Sequence, residues 1–162
     1  MSYPAIPDFA IHHISISVPD IESAIAWYEE IFGFSIEFRM SIENISAQGA
    51  FLRRGSLRLE LWQMKDVDPV PASRRQPNLD LQTSGTKHMA LAVPRLQERL
   101  ADLVRQGVDI AAVQRDPKQP MLPDPDPLAE GKPPAFAVFI RDPFGVLIEL
   151  IDDRPRQEQL KH

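Results

Sequence analysis

Apolar and small residues alternate along 13–18, apolar residues then recur at helical spacing up to a glycine, and the same succession returns from residue 88. In the first copy Ile14, Ile16 and Val18 fall on one face of a strand and His13, Ser15 and Ser17 on the other, because successive strand side chains point to opposite sides. In the second, Met89, Leu91 and Val93 oppose His88, Ala90 and Ala92. Each histidine leads a face of small side chains, as expected of a strand whose bulky side packs on a helix while its other side lines a cavity. The helices follow. Ile21, Ala24, Ile25, Tyr28, Ile31 and Phe32 share one helical face, with Asp20 as N-cap and Gly33 as stop; Leu96, Leu100, Leu103 and Val104 form the second, ending at Gly107. Further apolar runs predict strands near 35–42, 50–54 and 57–63, and again near 108–114, 136–141 and 146–152. The pattern is βαβββ written twice, in modules spanning 11–66 and 85–152 of a single α+β domain, 1–162.

The likeness recurs downstream. HHISISVPDIESAIAWYEEIFGF (12–34) matches KHMALAVPRLQERLADLVRQGVD (87–109), and FLRRGSLRLEL (51–61) matches FIRDPFGVLIEL (139–150). Glu60 follows His13 by 47 positions and Glu149 follows His88 by 61, so the second module is longer. The excess belongs in 115–134, where seven prolines forbid helix or central strand and predict an extended loop. That loop reads either as a tolerated insertion or as a lid over a site.

Composition narrows the chemistry. The chain has 162 residues, 43% hydrophobic and 25% charged, as in an ordinary globular protein, and a net charge of -5 with no long basic run, which argues against nucleic acid. It has no cysteine, so disulfides and thiolate ligands are excluded and any metal site must be built of nitrogen and oxygen. No apolar run approaches the ~20 residues of a membrane span, no secretory pattern opens the chain, and a cytoplasmic location is expected.

Glu60 and Glu149 each stand inside an apolar strand, where a carboxylate is costly to bury unless it is paired or bound to a cation. Together with His13 and His88 they form two matching pairs. His13-Ile14-Ser15-Ile16-Ser17-Val18-Pro19-Asp20-Ile21, the Trp27-Tyr28…Phe32-Gly33-Phe34 helix end, Lys87-His88-Met89-Ala90-Leu91-Ala92-Val93 and Arg141-Asp142-Pro143-Phe144-Gly145…Ile148-Glu149-Leu150 resemble, in that order, the vicinal oxygen chelate superfamily of glyoxalase I, bleomycin-resistance and dioxygenase proteins. The resemblance runs from about Ile11 to Asp152. It implies two βαβββ modules forming an open eight-stranded, barrel-like cup around one divalent metal, with Zn, Ni, Co, Mn or Fe all admissible. It places the ligands at His13, Glu60, His88 and Glu149, a charge-neutral set for a divalent ion.

The resemblance implies a small-molecule substrate and an isomerase or lyase that stabilises an enediolate, with Glu149 or Glu60 as the base; a homodimer is expected. Two alternatives stand beside it: an iron-dependent dioxygenase of a catechol-like aromatic, and a metabolite- or drug-binding resistance protein. Ser15 and Ile16 occupy the positions where glyoxalase I enzymes carry an arginine for glutathione, and the methylmalonyl-CoA epimerases, whose first strand is more similar, carry Gln where this chain has Glu60. Arg53, Arg58 and Arg141 read as carboxylate partners or as a grip for an anionic substrate. Phe51 and Trp62 read as core. His12 falls on the face opposite His13 and reads as a partly exposed packing residue, and His162 ends a polar tail.

Overall fold

The computed structural model describes residues 10–119 and 121–152, so His162 lies outside the described residues. The chain forms two compact units, Met1–Asp68 and Pro69–His162. In the first, β1 (Ile14–Ser17) leads through α1 (Ile21–Phe32) to β2 (Ser35–Ile42), β3 (Ala47–Arg54) and β4 (Leu57–Gln63), in the sheet order β1-β4-β3-β2. β1 runs parallel to β4, which requires a crossover, and α1 supplies it. The helix starts where Asp20 accepts hydrogen bonds from the N–H groups of Glu22 and Ser23, and it ends at Gly33 in the left-handed conformation. α1 lies against β3 and β4. Ile21, Ala24, Ile25 and Tyr28 are buried on its inner side, as are Leu52, Leu59 and Leu61 of the sheet.

The second unit repeats this with β5 (Met89–Ala92), α2 (Leu96–Arg105), β6 (Asp109–Gln114), β7 (Ala137–Arg141) and β8 (Leu147–Ile151), in the order β5-β8-β7-β6. Even the irregularities recur. The pairing of β2 with β3 shifts between Ile36 and Phe38, and that of β6 with β7 between Ile110 and Ala112. The two expected βαβββ modules are therefore present, each closed into a four-stranded sheet. α2 differs from α1 at its start: no side chain caps it, and Arg95 enters with a φ of 56°. Gly107 ends it, with Gly107 and Val108 donating to the Val104 and Leu103 carbonyls.

Three features were not legible beforehand. Residues 69–84, between the sequence modules, cluster with the second unit and carry a 3-10 turn at Ala72–Arg75. Among its described residues the Pro-rich segment contains neither helix nor named strand, yet it is tied down: Arg115 and Lys132 both pair with Asp124, at 3.2 and 2.6 Å, and Leu122 bridges to Val113. Its Met121 packs on Ala111, Ala112, Phe139 and Leu147. Finally, the turn between β7 and β8 is organised by Asp142, whose carboxylate accepts from the N–H groups of Phe144 and Val146 at 2.9 and 2.8 Å. In that turn Gly145 adopts a φ of 91°, and a Cβ there would sit 2.7 Å from Arg75 Nε.

Candidate metal centre

Strand register delivers the histidine and glutamate of each unit to one another. In the first, Ser15 is the β1 neighbour of Glu60 on β4. His13 lies two residues before Ser15, on the same exposed face, so its ring reaches along the sheet to the carboxylate. His13 Nε2 and Glu60 Oε2 are 3.4 Å apart. The second unit reproduces this: Ala90 neighbours Glu149, and His88 Nε2 stands 3.1 Å from Glu149 Oε2. The two carboxylates are similarly sheltered, with side chains 15% and 16% exposed. They are thus partly open and already partnered, which resolves the apparent cost of a carboxylate in an apolar strand.

An aromatic ring completes each pair. Phe51 lies across from Glu60 on β3, and Phe139 across from Glu149 on β7. Each meets its histidine edge to face, with centroids 5.2 Å apart for His13 and 5.0 Å for His88. These rings limit the orientations open to the imidazoles. Beyond them the units diverge. Phe38 stacks on Phe51 at 4.6 Å in the first, whereas Ala112 holds the equivalent place beside Phe139 in the second.

Arg53 and Arg58 of the first unit are engaged. Arg58 donates through Nε and Nη2 to Glu37, at 2.7 and 2.8 Å, and Arg53 Nη1 donates to the same carboxylate at 3.2 Å. The hydrogen bond from Arg58, opposed by burial and helped by Arg53, holds the Glu37 carboxyl below its usual range. Arg141 is likewise directed at Asp109 and at the Arg75 carbonyl. His12 departs from expectation. It is exposed, but its Nδ1 lies 2.7 Å from His13 Nδ1 and its Nε2 lies 3.4 Å from Arg58 Nη1, so it shares the site face rather than the opposite one. The two histidine rings meet edge to face at the entry to β1, with centroids 5.1 Å apart.

The family model described as the Glyoxalase/Bleomycin resistance protein/Dioxygenase superfamily matches residues 12–121. The chain belongs to this superfamily. It is 30% identical over 148 residues to the uncharacterized protein YqjC of Bacillus subtilis, covering 91% of this chain and 94% of that one. The mitochondrial methylmalonyl-CoA epimerase of Homo sapiens is 26% identical over 140 residues, 86% of this chain and 72% of the relative. The same fold occurs in a glyoxalase family protein from Enterococcus faecalis, with a TM-score of 0.67 and 23% identity over 88% of this chain and 97% of that one.

Members of the superfamily such as glyoxalase I typically use a divalent metal. The donors of this member fit one chemically. Two ligand atoms held about 2.1 Å from a common ion stand roughly 3.0–3.4 Å apart at octahedral or tetrahedral angles, and the two His–Glu separations are 3.4 and 3.1 Å. Neutral imidazole with carboxylate suits Zn, Ni, Co, Mn or Fe. Within each unit the gathered set is a pair, and among the described residues no group of three or more His, Asp or Glu side chains is assembled for a cation. Sequence reasoning found both pairs and missed their aromatic neighbours. The signal was the phenylalanine opening both FLRRGSLRLEL and FIRDPFGVLIEL, which reads as core until strand pairing sets it against the histidine.

Proposed function

We propose that the chain is a divalent-metal-dependent isomerase that moves a proton on a carbon beside a carbonyl in a small oxygenated or acyl substrate. The metal ligands in this reading are His13, Glu60, His88 and Glu149. The observation that carries it is the duplicated His–Glu–Phe arrangement, with the same register and nearly the same spacing in both units. The name of the human relative, an epimerase, favours isomerisation over elimination.

When bound, the metal supplies Lewis acidity toward two neighbouring substrate oxygens. The protein moves the proton. Glu149 accepts it from the substrate carbon at a carboxylate oxygen and returns it, a role suited to a sheltered group that still opens to solvent. Phe139 meets the His88 ring edge to face and closes off one side of it. Glu60 serves as a ligand oxygen.

The test is deuterium uptake at the carbon beside the carbonyl, scored with metal-loaded protein across 2-oxoaldehyde adducts and acyl-CoA esters. Metal-dependent exchange is expected with at least one class, and its absence from the whole panel overturns the reading. The equal pairing of Glu60 and Glu149 favours four donors over the two-histidine, one-carboxylate set of an iron dioxygenase.

A further inference from the structure

The segment 69–88 precedes β5 and walls a small open cleft that reaches His88. Its polar lining is Arg74, Gln76, Asn78, Asp80, Lys87 and His88. Leu147 also borders it, and Leu147 lies two residues before Glu149 on β8, on the same face of that strand. The cleft therefore reaches His88, the partner of Glu149.

Asp80 organises the cleft. Its side chain is only 10% exposed. Arg74 Nε donates to its Oδ2 at 3.1 Å and Lys87 Nζ donates to the same oxygen at 3.2 Å. Lys87 directs its remaining protons at the carbonyls of Asp80 and Thr83, so its ammonium is fully engaged. Arg74 is not. Its Nη1 and Nη2 atoms have no partner among the described residues, and its side chain is 42% exposed. The result is a guanidinium anchored at Nε with its two-nitrogen end free. Arg58, by contrast, already gives Nε and Nη2 to Glu37. Two cations against one carboxylate leave the cleft with a charge of +1, and the carboxamides of Gln76 and Asn78 add neutral N–H donors.

We propose that this cleft is a subsite for an oxyanion, a carboxylate or a phosphate, carried by the molecule whose reacting carbon meets Glu149. Arg74 grips it with both terminal nitrogens, the geometry in which guanidinium and oxyanion match best, and Gln76 and Asn78 complete the donor set. The subsite rests on the reaction proposed above only in placing the reacting carbon at Glu149. The substrate is then an anion beyond its metal-binding oxygens.

Binding is measured on the full chain, freed of metal with a chelator, by following the Arg74 Nε–H and the Gln76 and Asn78 side-chain amide signals in ¹⁵N-labelled protein. The probes are malonate, inorganic phosphate and, as a neutral control, malonamide. Malonate or phosphate shifts these signals and malonamide does not; which anion binds more tightly tells carboxylate from phosphate. Arg74→Gln weakens the anion at least about tenfold. Arg74→Lys, which keeps the charge and loses the fork, falls between, and the dispersion of each variant's spectrum confirms that it is folded. Equal binding of malonamide, or unchanged anion affinity in Arg74→Gln, overturns the subsite. Absence of metal-dependent exchange in protein that still binds malonate through Arg74 overturns the reaction and leaves the subsite standing.

Discussion

Glu60 and Glu149 occupy one position in two copies of a hairpin, yet we assign them different work. Gln substitution separates the roles, because an amide oxygen can still coordinate but cannot usefully accept a proton near neutral pH. Glu149→Gln is expected to keep its metal and lose carbon–deuterium exchange by about 10²-fold or more, whereas Glu60→Gln keeps both metal and most exchange. Metal content and exchange measured on the same samples decide it, and full exchange in Glu149→Gln would move the base to Glu60. His12 makes a second residue-level case. Its contact with His13 Nδ1 puts it where ring partners orient a ligand histidine, so His12→Ala should weaken metal affinity by roughly 10-fold, less than His13→Ala does. Equal affinity in His12→Ala and the parent protein would make the contact incidental. Sequence parity gave His12 the wrong face: its ring turns onto His13 at the entry to β1.

At the scale of elements, the Pro-rich segment shows how an irregular stretch is held without helix or sheet. Asp124 is its anchor. Burial pushes the Asp124 carboxyl up, but hydrogen bonds from Lys132 and Arg115 more than offset this, and its pKa lies below the usual carboxylate value. A depressed folded-state pKa stabilises fully above the unfolded value of about 3.9 and ceases to do so as pH falls through the lower, folded value. Protection of 115–134 from limited proteolysis should therefore persist through the neutral range and fade only in acid. Asp124→Asn should expose the segment to cleavage already at neutral pH; equal cleavage of variant and parent there would show that Met121 packing suffices to hold it. The turn from β7 to β8 depends similarly on Asp142. Removing its carboxylate in Asp142→Ala leaves the N–H groups of Phe144 and Val146 without their acceptor, and a loss of roughly 1–3 kcal/mol is expected in denaturant unfolding. The Asp and Gly of this turn were visible in the chain, but the need for Gly145 was only half legible: the turn asks for φ > 0, while the close approach of Arg75 comes from a segment 70 positions earlier.

For the molecule as a whole, the proposed four-ligand set predicts about one divalent ion per chain after mild dialysis, measured by elemental analysis. Two ions per chain would instead mean that each His–Glu pair binds alone, and none, with no uptake on titration, would remove the metal reading. A bound ion also stabilises: at a metal concentration a hundredfold above Kd the gain is about 2.7 kcal/mol, so chelation should lower Tm, and His88→Ala should abolish the difference. The sequence by itself determined that the chain is two βαβββ modules, because alternation and helical spacing are short-range signals that each module carries in full. It also determined which four residues form matching pairs, since duplication preserved their places. Tertiary structure alone decided what surrounds those pairs. Phe51 and Phe139 meet their histidines through strands paired across long separations, Glu37 reaches Arg58 from a bulged strand, and residues 69–88 fold against β8 to set Arg74 and Asp80 beside His88. Local hydrophobic pattern reports which face of a strand is apolar; it carries no information on which distant side chain will be brought against that face.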